Sequence, residues 1–346
     1  MKFWRMLKFT VCMAMILLTG IAMAQCQEAS AASGAITLVW YPNESAADYE
    51  PAREEFARLI TQATGKEVEQ KLTTDYAIAI ESVASGSAQI CFMGAQGYIE
   101  ANRKSGDVQP LFVNSGASGT LDDAIYYSWI ASREAEAEAY KAEGQYAIDG
   151  IQGKRISFVS NSSTSGFKVP TNAIISQFGA QEAWKGLSAD DLIEGGANGF
   201  FSQVLFGGSH QGAAVNLLTG KADVAAFCDT EMAPYMFLAS GEESKAGAVY
   251  EVKDGASAPF DTLAGERVTI LKSIPVLNGP FAYNAKTLAP EDVQAIQELM
   301  ISDEVANNPA VFVSKDSGLV GMFKKTDAER FVLVEDAWYN PIRDMQ

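Results

Sequence analysis

Histidine is almost missing from this sequence of 346 residues: there is one, His210. One imidazole cannot build a histidine-based metal site, and no zinc-type Cys/His spacing accompanies it, so neither metal nor cofactor is expected. Cysteine is scarce as well, at four. Cys12 falls in the N-terminal apolar run. Cys91 and Cys228 each close an apolar, strand-like stretch in separate parts of the chain, which reads as two small buried hydrophobes rather than a disulfide. Basic residues are outnumbered, with 26 Lys and Arg against 43 Asp and Glu and a formal net charge of −17. A field of that sign argues against nucleic acid and anionic membrane surfaces as partners. An anionic ligand would then have to be held by local dipoles and hydrogen bonds. No internal repeat, no long low-complexity tract and no apolar run of the ~20 residues that a membrane span needs is present.

What is present begins with an export signal. Lys2, Arg5 and Lys8 precede the apolar stretch 9–21, and Ala22-Met23-Ala24 places small residues where a signal peptidase reads. Cleavage after Ala24 takes the formal charge from −17 to −20, because residues 1–24 hold three basic and no acidic residues. Cys26 offers an alternative, a lipid-modified N-terminus, although Gln25 before it fits a lipoprotein signal poorly. Residues 25–35 read as a small, polar tether.

From Ile36 onward strands and helices alternate. Residues 36–41 form a strand, and 49–64 a helix with Ala52, Phe56, Leu59 and Ile60 on one face and Gly65 as its stop. Strand 68–72, helix 76–84, strand 89–93 and helix 96–103 follow. This is the pattern of an α/β fold with crossover helices. Roughly 320 residues after the signal exceed what one such core usually holds, so two lobes are expected. Residues 132–153 are charged and helical in character, and a new strand–helix series starts at Arg155. A proline-containing strand is expected at 273–276, then helices at 290–301 and 309–313, each opened by a proline.

The most telling segment is Asn161-Ser162-Ser163-Thr164-Ser165-Gly166-Phe167-Lys168-Val169-Pro170, directly after an apolar strand and before a helix at 171–178. The first turn of a helix carries unpaired N–H groups and partial positive charge. With three hydroxyls and a glycine added, it can cradle a phosphate-like anion. Taken alone, the segment reads first as a Ser163 or Ser165 that merely caps the helix. Lys168, unfavourable against the helix dipole, is expected to extend into solvent or else to hold the anion or a cleft carboxylate.

Other segments keep company with this turn: Thr74-Asp75-Tyr76-Ala77, Ile125-Tyr126-Tyr127-Ser128-Trp129, Gly207-Gly208-Ser209-His210, Ala222-Asp223-Val224-Ala225-Ala226 and Asp229-Thr230-Glu231. In that order and spacing, from about Ile36 to about Tyr283, the chain resembles the phosphate/phosphite/phosphonate-binding components of bacterial ABC importers. The resemblance implies a type II periplasmic-binding-protein fold, two lobes closing like a Venus flytrap around a cleft and joined by a two-strand hinge. It places lobe one at 36–131 plus 282–346 and lobe two at 132–281. It implies a small phosphorus oxyanion or phosphonate as ligand, an ABC permease in the cytoplasmic membrane as partner, a monomer, and an extracytoplasmic location, periplasmic or on the outer face of the membrane if Cys26 is lipidated.

Carried over by motif, Ser163, Thr164 and Ser165 would bind the phosphonate oxygens. Tyr76 would donate its phenol from the other lobe. His210 would sit at a helix N-terminus, neutral when empty and protonated against a bound dianion. Tyr126 and Glu231 would surround the organic tail. Aminophosphonate-binding members have a second carboxylate where Gly279 stands here. That departure argues against strong recognition of an amine unless Asp229 compensates. An enzyme of the hydrolase or transferase class on the same scaffold is the alternative function. A Ser–His pair exists formally in Ser163 or Ser165 with His210, but neither a nucleophile elbow nor an acidic partner marks it. A binding protein that feeds a sensor is a third reading.

Overall fold

A computed structural model of the protein describes residues 34–314, 317 and 320–345. The expected signal, its cleavage site and Cys26 lie outside them. β1 (Ile36–Trp40) is buried along its whole length, as befits an apolar strand covered on both faces. It pairs in parallel with β2 (Val68–Leu72) and β3 (Ile90–Phe92). Between β1 and β2 runs α1 (Glu50–Thr64), with a proline in its first turn and Ala52, Phe56, Leu59 and Ile60 buried. It stops at Gly65, whose φ of 69° is left-handed and whose N–H reaches Thr61 O, the expected αL cap. α2 (Tyr76–Ala84), α3 (Ala95–Lys104) and β4 (Val108–Asn114) continue the alternation.

The chain then enters a second sheet. Its strands are β5 (Ile125–Arg133), β6 (Arg155–Phe158), β7 (Gln203–Phe206), β8 (Val224–Cys228), β9 (Met236–Ser240), β10 (Val249–Val252) and β11 (Arg267–Leu277), in the spatial order β9-β10-β11-β5-β8-β6-β7. α4 (Val169–Phe178) and α5 (His210–Leu218) pack on it. β12 (Phe281–Asn284) and β13 (Phe331–Val332) return to the first sheet, whose order is β13-β4-β12-β3-β1-β2. α6 (Pro290–Met300) lies against α1.

Two crossings, 115–124 and 278–280, therefore join the sheets. β5 pairs with β11 from Ile125 opposite Leu277 onward, so residues 125–131 sit by pairing in the second sheet rather than in lobe one. Two other expectations change. Residues 309–313 form a turn leading into the strand Phe312–Ser314, which pairs in parallel with Phe323–Lys325. The Phe312, Phe323 and Phe331 rings find one another, which draws Phe312 into the strand pair instead. In 132–153, β5 runs on to Arg133, a 3-10 segment spans Glu134–Tyr140, and a small hairpin follows.

The first sheet's core is aromatic. Phe281 stacks on Phe56 at 4.9 Å and on Phe112 at 4.7 Å. Each buried Phe contributes about 1.5–3 kcal/mol, which fixes the return strand β12 and with it the crossing 278–280. A separate apolar cluster bridges the sheets, joining Tyr76 and Met93 of the first to Val159, Ala213 and Val276 of the second. The cleft lies above it, at the ends of strands where open α/β sheets bind ligands.

Candidate functional site

The hydroxyl turn follows β6 and opens as one π turn, Thr164–Lys168, before α4. The Lys168 N–H reaching Ser163 O at 3.0 Å is the bond that widens it. Such turns recur at functional sites because they re-aim side chains. Ser163 Oγ accepts from Gly166 N–H at 3.1 Å, so the capping reading holds for this residue. Thr164 Oγ1 accepts from Gln96 N–H, in the first turn of α3 in the other sheet, at 2.9 Å. Ser165 Oγ accepts from the Tyr126 hydroxyl at 3.1 Å. Each hydroxyl oxygen thus already accepts one bond and keeps its own proton to donate. All three residues are buried.

Tyr76 opens α2, capped by Asp75, whose carboxylate accepts from Ala77 N–H. Its hydroxyl accepts from Asn43 Nδ2 at 2.7 Å and lies beside Ser163. Asn43 Oδ1 in turn accepts from His210 N–H at 3.1 Å, across the cleft. His210 is the first residue of α5. Its Nδ1 accepts from Cys228 N–H at 3.1 Å, and burial pulls its pKa down to about 3. A second proton would set Nδ1–H against Cys228 N–H. In the empty cleft His210 is thus a neutral imidazole, and Nε2–H is the donor it has to offer.

Glu231 Oε2 accepts from the Tyr49 hydroxyl at 3.3 Å and from Gln211 Nε2 at 3.1 Å. Burial pushes its pKa up to about 7. A second buried carboxylate, from another element, lines the same cleft. Glu44, on the loop after β1, is 5% exposed, and its pKa is raised well above the carboxylate range by burial first and by the Glu231 charge second. Its Oε2 is buried with no partner among the described residues, and so is the Tyr41 hydroxyl. Leaving such an atom unsatisfied costs about 1–3 kcal/mol. Asp229 does not compensate. Its Oδ1 accepts from the backbone N–H groups of Tyr127 and Thr230 at 2.9 and 2.8 Å, away from the cleft. Gly279 is glycine for packing: a Cβ there would stand 2.2 Å from Met93 O. Lys168 neither waves in solvent nor touches the cleft; its Nζ donates to Met345 O at 2.7 Å.

One cavity of about 90 Å³ collects the expected site residues. Tyr76, Tyr126, Ser163, Thr164, Ser165, His210 and Glu231 line it together with Glu44, Tyr41 and Asn43. It is about three times the ~30 Å³ that a water occupies in the liquid, which suits a small oxyanion with a short tail. Among the described residues, no Lys or Arg lines it. Hydroxyls, His210 and the N-terminal turns of α2, α3, α5 and the π turn offer donors, while Glu44 and Glu231 offer acceptors. Among the described residues, no group of three or more His, Cys, Asp or Glu could hold a metal. Cys91 and Cys228 are buried and unpaired.

Three comparisons bear on this geometry. The family model described as "ABC transporter, phosphonate, periplasmic substrate-binding protein" matches residues 38–339. The phosphate-import protein PhnD of Mycolicibacterium smegmatis is 24% identical over 275 residues, covering 78% of this chain and 71% of that protein. Of solved structures, PhnD1 from Prochlorococcus marinus, in complex with methylphosphonate, superposes with a TM-score of 0.62 at 13% identity, covering 90% of this chain and 96% of that one. A binding-protein component of an ABC phosphonate transporter from Pseudomonas aeruginosa gives 0.63 at 17%, covering 90% and 85%. At those identities the superpositions establish the fold, the two-lobed type II periplasmic-binding-protein fold.

Proposed function

The chain belongs to the family of periplasmic substrate-binding proteins of ABC phosphonate transporters, and from that membership we propose that its cleft captures a short phosphonate carrying a cationic tail. A member of this family works outside the cytoplasm and delivers its ligand to an ABC permease. The phosphonate group lies against Ser163, Thr164, Ser165, Tyr76 and His210, all as hydrogen-bond donors. The ammonium lies between Glu44 and Glu231, beside Tyr126. The carrying observation is the cavity's lining: donors with no Lys or Arg among the described residues, and two buried carboxylates, Glu44 and Glu231, that no described cation pairs. Arg53, the cation acting on Glu44, spends its guanidinium on Glu44 O and Ala46 O. An ammonium would satisfy both carboxylates at once, including the orphaned Glu44 Oε2.

Closure is a hinge motion about 115–124 and 278–280, with the two sheets as the moving bodies and the ligand favouring the closed form by touching both. The protein acts as a monomer that binds no nucleic acid. It is released by cleavage after Ala24, or anchored if Cys26 is lipidated. It performs no chemistry on its ligand. The imidazole nitrogen left to face the hydroxyls carries a proton, because Nδ1 is taken by Cys228 N–H. It cannot accept one from a serine, which speaks against the hydrolase reading.

Titration calorimetry with 2-aminoethylphosphonate, ethylphosphonate, phosphate and sulfate tests the proposal. Preference for the aminoalkyl compound by tenfold or more, about 1.4 kcal/mol, is the expected outcome. Equal affinity for ethylphosphonate would overturn the tail assignment. Preference for phosphate would favour a bare oxyanion facing a carboxyl proton, which the high pKa of Glu231 also allows.

A further inference from the structure

A larger groove, about 480 Å³, opens on the second sheet and shares no lining residue with the cleft. β5 turns Ile125 and Tyr127 toward this groove and Tyr126 toward the cleft, following the two-residue alternation of a strand. The volume lies in the range of small-molecule sites, about 300–1,000 Å³. Ile125, Tyr127, Ile148 and Leu271 give it apolar walls.

Its charge runs against the rest of the molecule. None of its lining residues is Asp or Glu, in a chain with 43 acidic and 26 basic residues, and the two charged ones are Lys245 and Lys272. Neither ammonium has an ion-pair or hydrogen-bond partner among the described residues, whereas eleven other cation–carboxylate contacts are made. Ser273 Oγ is buried at the same place, also without a partner. The loop that presents Lys245 is held in a defined shape. Ser244 takes a φ of 52°, and its N–H donates to the Tyr250 hydroxyl at 2.9 Å; such a φ is uncommon outside glycine. Glu138, beside the lining residue Tyr146, is engaged with the Tyr146 hydroxyl and Lys141, and the acidic neighbours of the lining in sequence, Asp149, Glu242 and Glu243, are not among the lining residues.

We propose that this groove is a second binding site, for an organic anion with an apolar body, of the aryl or alkyl carboxylate class. The carboxylate takes the two lysines, and the body covers Ile125 and Tyr127. Since one strand carries both Tyr126 and Tyr127, an occupant braces the wall of the cleft from behind.

Calorimetry with 2-naphthoate on the mature protein tests this, with the neutral 2-naphthamide as control and with Lys245→Gln, Lys272→Gln and the double variant. The expected result is saturable, one-to-one binding of naphthoate. It should weaken at least tenfold in the double variant, be mimicked only weakly by naphthamide, and stay unchanged in the cleft variant Thr164→Ala. Absence of saturable binding, indifference to both lysines, or loss in Thr164→Ala would each overturn the proposal. Lys245→Gln alone, at an exposed residue, decides the matter if the double variant melts early.

Discussion

Replacing Glu44 by Gln removes one of the two buried carboxylates at nearly constant size. In the empty cleft the Glu44 pKa is raised by burial and then by Glu231, and that of Glu231 is pushed up to about 7. Near neutrality the pair therefore holds protons that it must give up when an ammonium enters. Binding of an aminoalkylphosphonate is then coupled to proton release. Its affinity should rise with pH by up to about tenfold per unit for each proton released, and level off above the pair's highest pKa. The phosphonate's own ionisation adds a slope common to every tail. The informative quantity is thus the affinity ratio of 2-aminoethylphosphonate to ethylphosphonate, measured calorimetrically across roughly pH 5–8.5. In the wild type this ratio climbs with pH. In Glu44→Gln one charge-assisted bond is gone, worth about 1.5–3 kcal/mol, so the ratio on the alkaline side should drop roughly tenfold to hundredfold and its climb should flatten. A wild-type ratio independent of pH, or one untouched by Glu44→Gln, refutes the reasoning.

Other expectations follow from the same contacts. Glu231→Gln should stabilise the ligand-free protein at pH 8. The folded form binds that proton more tightly than the unfolded chain, so stability is highest below about pH 4.5 and falls as pH rises through about 7. The gain is up to about 3 kcal/mol, seen as a higher melting temperature at pH 8 and little change near pH 4. Thr164→Ala should weaken phosphonate binding by about 1.5–3 kcal/mol, whereas Ser163→Ala should in addition lower stability by about 1 kcal/mol through loss of its cap; paired titrations and melts separate the two. Gly279→Ala should impair binding by forcing the 278–280 crossing away from Met93 O, 2.2 Å from the added Cβ, and unchanged affinity would show that the crossing yields. Nitrogen-15 NMR should find His210 neutral with Nε2 protonated between about pH 5 and 8, with or without ligand.

The parts of the site legible in the sequence were those with a local signature. Ser163–Ser165 sits between an apolar strand and a proline-marked helix, and Tyr76 and His210 each begin a helix, so their placement needed only the strand–turn–helix grammar. The partners that complete the cleft are long-range. Tyr49 reaches Glu231 across 182 positions, and Asn43 reaches His210 across 167, and no spacing rule encodes such pairs. Glu44 had one available signal, its place on the loop directly after an apolar parallel strand, where ligand contacts collect. Gly279 had a reason the sequence does not show: its missing side chain records the close approach of the Met93 backbone. The helix expected at 309–313 failed because a proline start says nothing about where Phe312 finds its aromatic partners.

A crystal structure of the mature protein with 2-aminoethylphosphonate tests the central claim most directly. Phosphonate oxygens are expected within hydrogen-bonding distance of the Ser163, Thr164 and Ser165 hydroxyls and of His210 Nε2, with the amine between Glu44 and Glu231. A phosphonate bound away from the hydroxyl turn, or an amine turned out to solvent with Glu44 still unpartnered, would contradict it.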